Sequence, residues 1–392
     1  MAASSAKRLT VNPEMLAWAR EWRGISAEEA ATEVGQTVER YLRWETERGD
    51  GPTVVQARKL AELFDRSILE FFRETKPVIP EPAKVPDFRM HKGAPDPLEE
   101  REIKIIQMWL ESRRANAIEL AKELDVDIPT IPEQIFSSLR ENPEVAALRA
   151  RELVDFKVTD QTGLSSNEQY RLPDILRRKL EAIGILTIRR SGLRKFGMRG
   201  MCVVKFPLPV ILFASETVTA QVFTIGHELA HIVLKQSGVS GPRHKDAGDV
   251  EDWCDRFSSA FLMPQESVLA IAGKPPSVPA SEISDEQLKH YASAFRVSPH
   301  AMLIRLVHLH YVDADFYWSV KKPEFDEEDK KPQYGKPKFY GRRFQSSMGD
   351  LYTSLVIGAW SSGKITNHNA AEYMGVKNFS HLHDIRANFE KP

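Results

Sequence analysis

The stretch Gln221-Val222-Phe223-Thr224-Ile225-Gly226-His227-Glu228-Leu229-Ala230-His231-Ile232-Val233-Leu234 decides how this chain is read. Val222, Ile225, Leu229, Ile232 and Val233 recur at helical spacing, which predicts a buried amphipathic helix. Positions four apart share a helical face, so the imidazoles of His227 and His231 can reach one metal ion. Glu228 then lies beside that ion, placed to take a proton from a water. This stretch therefore supplies two zinc ligands and a general base.

A catalytic zinc needs a third protein ligand and one open position. Downstream, Trp253, Phe257, Ala260 and Phe261 mark a second amphipathic helix that stops at Pro264. Glu251 at its start completes a His-His-Glu set, or else is a solvated acid favoured by the helix dipole. Spacing leaves both readings open. Asp255, one turn on, is placed to accept the outer N–H of a ligand histidine and fix its tautomer. Cys254 is either a small packing residue or a further ligand.

Thr224-Ile225-Gly226-His227-Glu228-Leu229-Ala230-His231, followed by Glu251-x-x-Cys254-Asp255-x-Phe257-Ser258-x-x-Phe261-Leu262-Met263-Pro264, resembles the ImmA/IrrE metallopeptidases, which are gluzincin-like zinc proteins. That resemblance implies Glu251 as third ligand. It extends upstream through Gly184-Ile185 and downstream through Val297-Ser298 to Arg305-Leu306. Cys254 and Asp255 stand where the family usually has Ala and Asn. The expected region, 146–315, is α+β, with a short antiparallel sheet from strands near 185–190, 198–204 and 209–214 packed on both motif helices. An edge strand at Met198–Val204 would align an extended peptide by strand addition. His244 is the candidate oxyanion donor.

The start of the chain carries a second signature. Leu16-x-x-Ala19-Arg20-Glu21-x-x-Gly24-Ile25-Ser26-Ala27-Glu28-Glu29-Ala30-Ala31 reads as helix, turn, helix, with Ser26 and Glu29 as a capping box. Thr37 caps a third helix whose core residues are Tyr41 and Trp44. This segment, 1–75, resembles an Xre-type helix-turn-helix domain. The resemblance implies that Thr37, Arg40 and Arg43 contact double-stranded DNA in the major groove, with Arg48 adding to a phosphate-binding cluster. The alternative is a small helical docking domain.

Segment 76–97 is Pro-rich, which predicts an extended linker with Asp87-Phe88-Arg89 docking on a neighbour. A long helical connector over 98–145 bears the stripe Ile106, Trp109, Leu110, Ala117, Leu120, Ala121 and Leu124. The stripe reads as core, with homodimer contact as the sharper alternative. Beyond 316 the chain reads as a charged loop over Lys321–Lys336 and then a small helical C-terminal module. Its helices are expected at Met348–Trp360 and on both sides of Gly375.

Composition sets the remaining bounds. The 392 residues are 42% hydrophobic and 28% charged, with a net charge of −1, which predicts no general attraction to nucleic acid or membrane. Two cysteines cannot make a disulfide framework. A reduced, cytoplasmic protein with no membrane span is expected. The whole reads as a multidomain chain: an all-α helix-turn-helix domain, an α+β gluzincin-like zinc peptidase domain and the helical C-terminal module. Two functions follow from it. One is a zinc endopeptidase coupled to DNA binding, removing a repressor-like protein substrate in stress response or mobile-element control. The other is a non-proteolytic zinc-binding regulator or antitoxin-like protein that binds a partner.

Overall fold

Side-chain caps lay out the first helices of the computed structural model, which describes residues 8–47, 49, 51–64, 66–76, 85–87, 97–241, 248–329, 340–376 and 380–389. Asn12 accepts the Glu14 amide at 3.1 Å and Pro13 presets φ, opening α1 (Pro13–Arg23). Gly24 ends it at φ 62°, a left-handed position that a Cβ disfavours. Ser26 and Glu29 close their capping box around α2 (Ala27–Glu33), as expected. Thr37 caps α3 (Val38–Thr46), and α4 spans Val54–Phe64. Leu16, Ala19, Tyr41, Trp44, Leu60, Phe64 and Phe71 form the core of this part. Complete burial of a side chain such as Phe64 stabilises it by roughly 3 kcal/mol.

The chain divides into two compact units, Met1–Ala83 with Pro95–Ile106, and Lys84–Ala94 with Gln107–Pro392. The 28-residue helix α5 (Pro97–Leu124) contributes to both. Ile106, Leu110, Ala117, Leu120 and Ala121 of its stripe are buried within the chain, which is the core reading. Most of the Pro-rich linker lies outside the described residues. Inside them, Asp87 docks as expected, forming a parallel bridge to Val239, while Phe88 and Arg89 lie outside.

The second unit is α+β. Helices α6 (Pro143–Leu153), α7 (Val158–Thr162) and α8 (Leu172–Ala182) precede strands β1 (Leu186–Arg190), β2 (Gly200–Val203) and β3 (Val210–Ala214). Helix α9 (Val218–Val233), strand β4 (Gly238–Ser240) and helix α10 (Asp249–Leu262) follow. Next come α11 (Gln265–Ala272), α12 (Asp285–Ala294) and α13 (Pro299–His308).

The sheet order is β1-β3-β2-β4. This corrects the sequence expectation in two ways. The sheet is mixed, because β1 pairs β3 in parallel while β2 is antiparallel to both β3 and β4. And β2 is an inner strand, not an edge available for strand addition. Its four residues are all buried, so both faces of the sheet are covered here and the strand shows no alternation. The edges are β1 and β4, and on β4 the Val239 amide donates to the Pro86 carbonyl at 3.0 Å.

The expected charged loop is also corrected over its described part. Helix α14 (Ala314–Phe316) continues through a π turn at Tyr317–Lys321 into α15 (Lys322–Asp329), while 330–336 lies outside the described residues. Lys322 pairs with Asp326 at 2.6 Å, one turn apart, so the charges support the helix rather than break it.

The C-terminal helices are α16 (Tyr340–Ser361), α17 (Asn367–Met374) and α18 (Ser380–Phe389). Helix α16 breaks at Gly349, φ 81°, where the buried Glu181 carboxylate accepts the Asp350 and Leu351 amides at 2.9 and 2.8 Å. A Cβ on Gly349 would overlap that carboxylate.

Candidate metal centre and nucleic-acid interface

Gly226 brings the two motif helices together. A Cβ there would stand 2.7 Å from Ser258 Oγ, so a larger residue would displace the hydroxyl that ties α10 to α9. Ser258 then donates to the Phe223 carbonyl at 2.9 Å, tying the crossing. The result places Glu251 against both imidazoles. His227 Nε2 lies 3.2 Å from Glu251 Oε2, and His231 Nε2 lies 3.1 Å from Glu251 Oε1. Asp255 Oδ1 sits 3.0 Å from His227 Nδ1. Donation from Nδ1–H to that carboxylate leaves the Nε2 lone pair facing inward.

These groups are buried, with Glu228 and His231 fully so. Among the described residues, His227 Nε2 and Glu251 Oε1 have no hydrogen-bond partner, and neither do the two oxygens of Glu228. The Ser240 hydroxyl is near enough only to draw the Glu228 pKa down somewhat. Orphaned donors and acceptors converging in a buried space are costly unless something joins them. Glu251 and Asp255 face the two imidazoles, and nitrogen with oxygen donors suits zinc. The residues fit a divalent metal.

The electrostatics carry the same imprint. Burial drives Glu228 up to about 8, against a weaker pull from His227. Burial works to lower His227, yet Glu251 and Asp255 together hold it well above the ordinary histidine value. Burial lowers His231. Glu251 goes the other way: burial would raise it, but the two imidazoles pull it below the usual carboxylate range.

A cleft of about 100 Å³ opens onto His227, Glu228 and Asp255. Its walls bring in residues the motifs do not name: Arg199, Ser240, His300, Lys322 and Asp326. His300 Nε2 shares a hydrogen bond with the Tyr317 hydroxyl at 2.9 Å and stacks on Phe325 at 4.7 Å. Beneath Glu228, a Cβ on Gly200 would overlap its carboxylate. The motifs read in the sequence single out none of these positions as part of a metal centre. His244, the expected oxyanion donor, lies outside the described residues.

In the first unit, Tyr41, Trp44 and Glu45 turn inward on α3 while Thr37, Leu42 and Arg43 are exposed and Arg40 is half-buried. The inward face is clamped. Arg20 on α1 holds Glu45 through two bonds of 2.7 and 2.8 Å, and the Tyr41 hydroxyl donates to the same carboxylate at 2.6 Å. The outward face carries the three residues expected at DNA, and Thr37 accepts the Arg40 amide at 3.3 Å. Arg48 lies outside the described residues.

Comparison with known families agrees with this division. Residues 16–71 match the family described as helix-turn-helix. Residues 192–307 match the IrrE N-terminal-like domain of the M78 peptidases. The chain thus carries both modules, and the second match spans α9 and α10 but ends before α14 and α15. No curated protein and no solved structure matches the chain. No helix among the described residues is long and apolar enough to cross a membrane.

Proposed function

We propose that this chain is a zinc-dependent endopeptidase coupled to DNA binding, acting on transcription by site-specific cleavage of a repressor-like protein. The observation that supports this best is Glu228. A structural metal site has no use for a buried carboxyl that lacks a close partner, whereas a hydrolase needs an acid-base group titrating near neutrality. His227, His231 and Glu251 would hold the metal, and Asp255 would fix the His227 tautomer. Zinc bound there supplies a Lewis acid that polarises a carbonyl and lowers the pKa of a water.

The chain's own residues do the rest. Glu228 accepts the proton of the attacking water and returns it to the leaving amine. Gly200 leaves that carboxyl room to turn toward the water. His300, steadied by Tyr317 and Phe325, offers a donor from the cleft wall for the developing oxyanion. Substrate enters this cleft rather than adding to β2, which has no free edge. In the first unit, Thr37, Arg40 and Arg43 face the DNA.

The test is Glu228→Gln. It should keep about one zinc per chain, lower turnover by about 10²–10⁴-fold, and retain uncut substrate in a pull-down. In cells it should behave like a deletion for derepression. A variant silent in both target abundance and reporter output would remove the enzyme reading and leave a zinc-binding regulator.

A further inference from the structure

Cys254 stands one turn beyond Glu251 on α10, on the face that meets α9. The ligand atoms of His227, His231 and Cys254 lie within 4.8 Å of one another, and all three residues are buried. Around a tetrahedral zinc, with Zn–S of about 2.3 Å and Zn–N of about 2.0 Å, such atoms stand roughly 3.5 Å apart. The thiol thus borders the space that the two imidazoles face, close enough for one ion to gather all three atoms. The pocket it borders is independently primed for an ion. His227, only 7% exposed, aims into it an Nε2 that makes no hydrogen bond although Glu251 Oε2 lies 3.2 Å away, and Glu251, 9% exposed, aims an Oε1 that makes none although His231 Nε2 lies 3.1 Å away. Cys202 on β2 is also a buried free thiol, yet it joins no such cluster among the described residues.

We propose that Cys254 is a fourth protein ligand, so that the resting metal is held by two imidazoles, a carboxylate and a thiolate with no position open. The inference rests on the metal site proposed above. When the metal–sulfur bond forms, the thiol proton passes to solvent. Closed four-ligand sets are structural in character, and hydrolysis needs three ligands with one position free. The thiolate must leave the metal before Glu228 has a water to act on. Helix α10 thus carries one ligand that catalysis keeps and one that holds the site shut. Thiolate is a soft donor that favours zinc over the hard divalent cations, so it also sharpens metal choice.

The experiment is cobalt substitution of the full-length protein. Metal-stripped wild type, Cys202→Ser and Cys254→Ser are each loaded with Co²⁺ and their near-ultraviolet spectra recorded. The expected result is an intense sulfur-to-cobalt charge-transfer band in wild type and Cys202→Ser that Cys254→Ser lacks while still binding one cobalt. Zinc affinity of Cys254→Ser should fall by about tenfold or more, the lower bound being what loss of an outer-shell partner costs. One bound cobalt without the band overturns the proposal and leaves the His227, His231 and Glu251 site standing. Folded wild type that binds no cobalt or zinc overturns both. Should Cys254→Ser fail to fold, X-ray absorption of zinc-loaded wild type decides. A sulfur neighbour at about 2.3 Å supports the thiolate, and a shell of nitrogen and oxygen alone refutes it.

Discussion

Glu45 and Glu228 are both buried glutamates, one in each compact unit, and they are treated in opposite ways. Glu45 receives a bidentate guanidinium from Arg20 and a phenol from Tyr41. Glu228 has no close partner among the described residues and is driven up to about 8. A buried carboxylate costs several kcal/mol unless it is paired. Where the fold supplies full pairing, the charge fixes geometry, here the seating of α3 against α1. Where the fold withholds it, the group stays reactive. The pair shows how burial alone says nothing about role, and how satisfaction of the buried atoms does.

The sharpest way to break this comparison is to remove each acid. Glu45→Ala leaves the Arg20 guanidinium, whose side chain is only 15% exposed, without its carboxylate. Losing one partner of a buried pair destabilises by about 3–5 kcal/mol. Hydrogen exchange of α1 and α3 amides should accelerate correspondingly, while amides of α9 should not change. Equal protection in the variant would mean that the pair adds nothing and that Glu45 is no better placed than Glu228.

Glu228→Gln should shift stability the other way. A carboxyl whose folded pKa of about 8 exceeds its unfolded value of 4.5 lends stability that is complete below pH 4.5 and is lost as pH rises through 8. In chelator-treated protein at pH 8, the variant should therefore be the more stable, by up to a few kcal/mol. The gap should close at pH 4.5. Denaturant titrations at the two pH values check this, and a pH-independent gap would show that Glu228 is ionised or paired after all.

Much of this was legible in sequence because it rests on short-range chemistry. The two histidines are spaced by helical periodicity, which is local, and the caps at Ser26 and Thr37 read from neighbouring residues, whereas spacing leaves Glu251 open and only the family resemblance implies it as a ligand. What sequence hid was set by pairing across distance. The three-residue β4 is too short to show a pattern, so the sequence does not reveal that β2 has a neighbour on that side. Lys322 and Asp326 read as a solvated loop because their helix is charged, and only packing against His300 brings it to the cleft. Gly200 is one glycine among 21, and nothing local says that it faces Glu228.

The comparison extends to the two faces of α3, where the smallest effects are expected. Tyr41, Trp44 and Glu45 are committed to holding the helix, so substitutions there act through folding. Arg43 is exposed and Arg40 half-buried, so Arg40→Ala and Arg43→Ala should leave stability within about 0.5 kcal/mol of wild type. Their effect should appear only in binding to the protein's own promoter DNA. An arginine on a base edge contributes about 1–3 kcal/mol and relaxes specificity at its position. One on a phosphate weakens all sequences alike and lowers the salt slope by about one. Gel shifts at several salt concentrations, on specific and scrambled duplexes, tell the two apart for each arginine. Zinc content should not move in either variant. If the double variant binds as tightly as wild type at every salt, the outward face of α3 does not read DNA. The Arg20–Glu45 clamp would then be holding that helix for a protein partner instead.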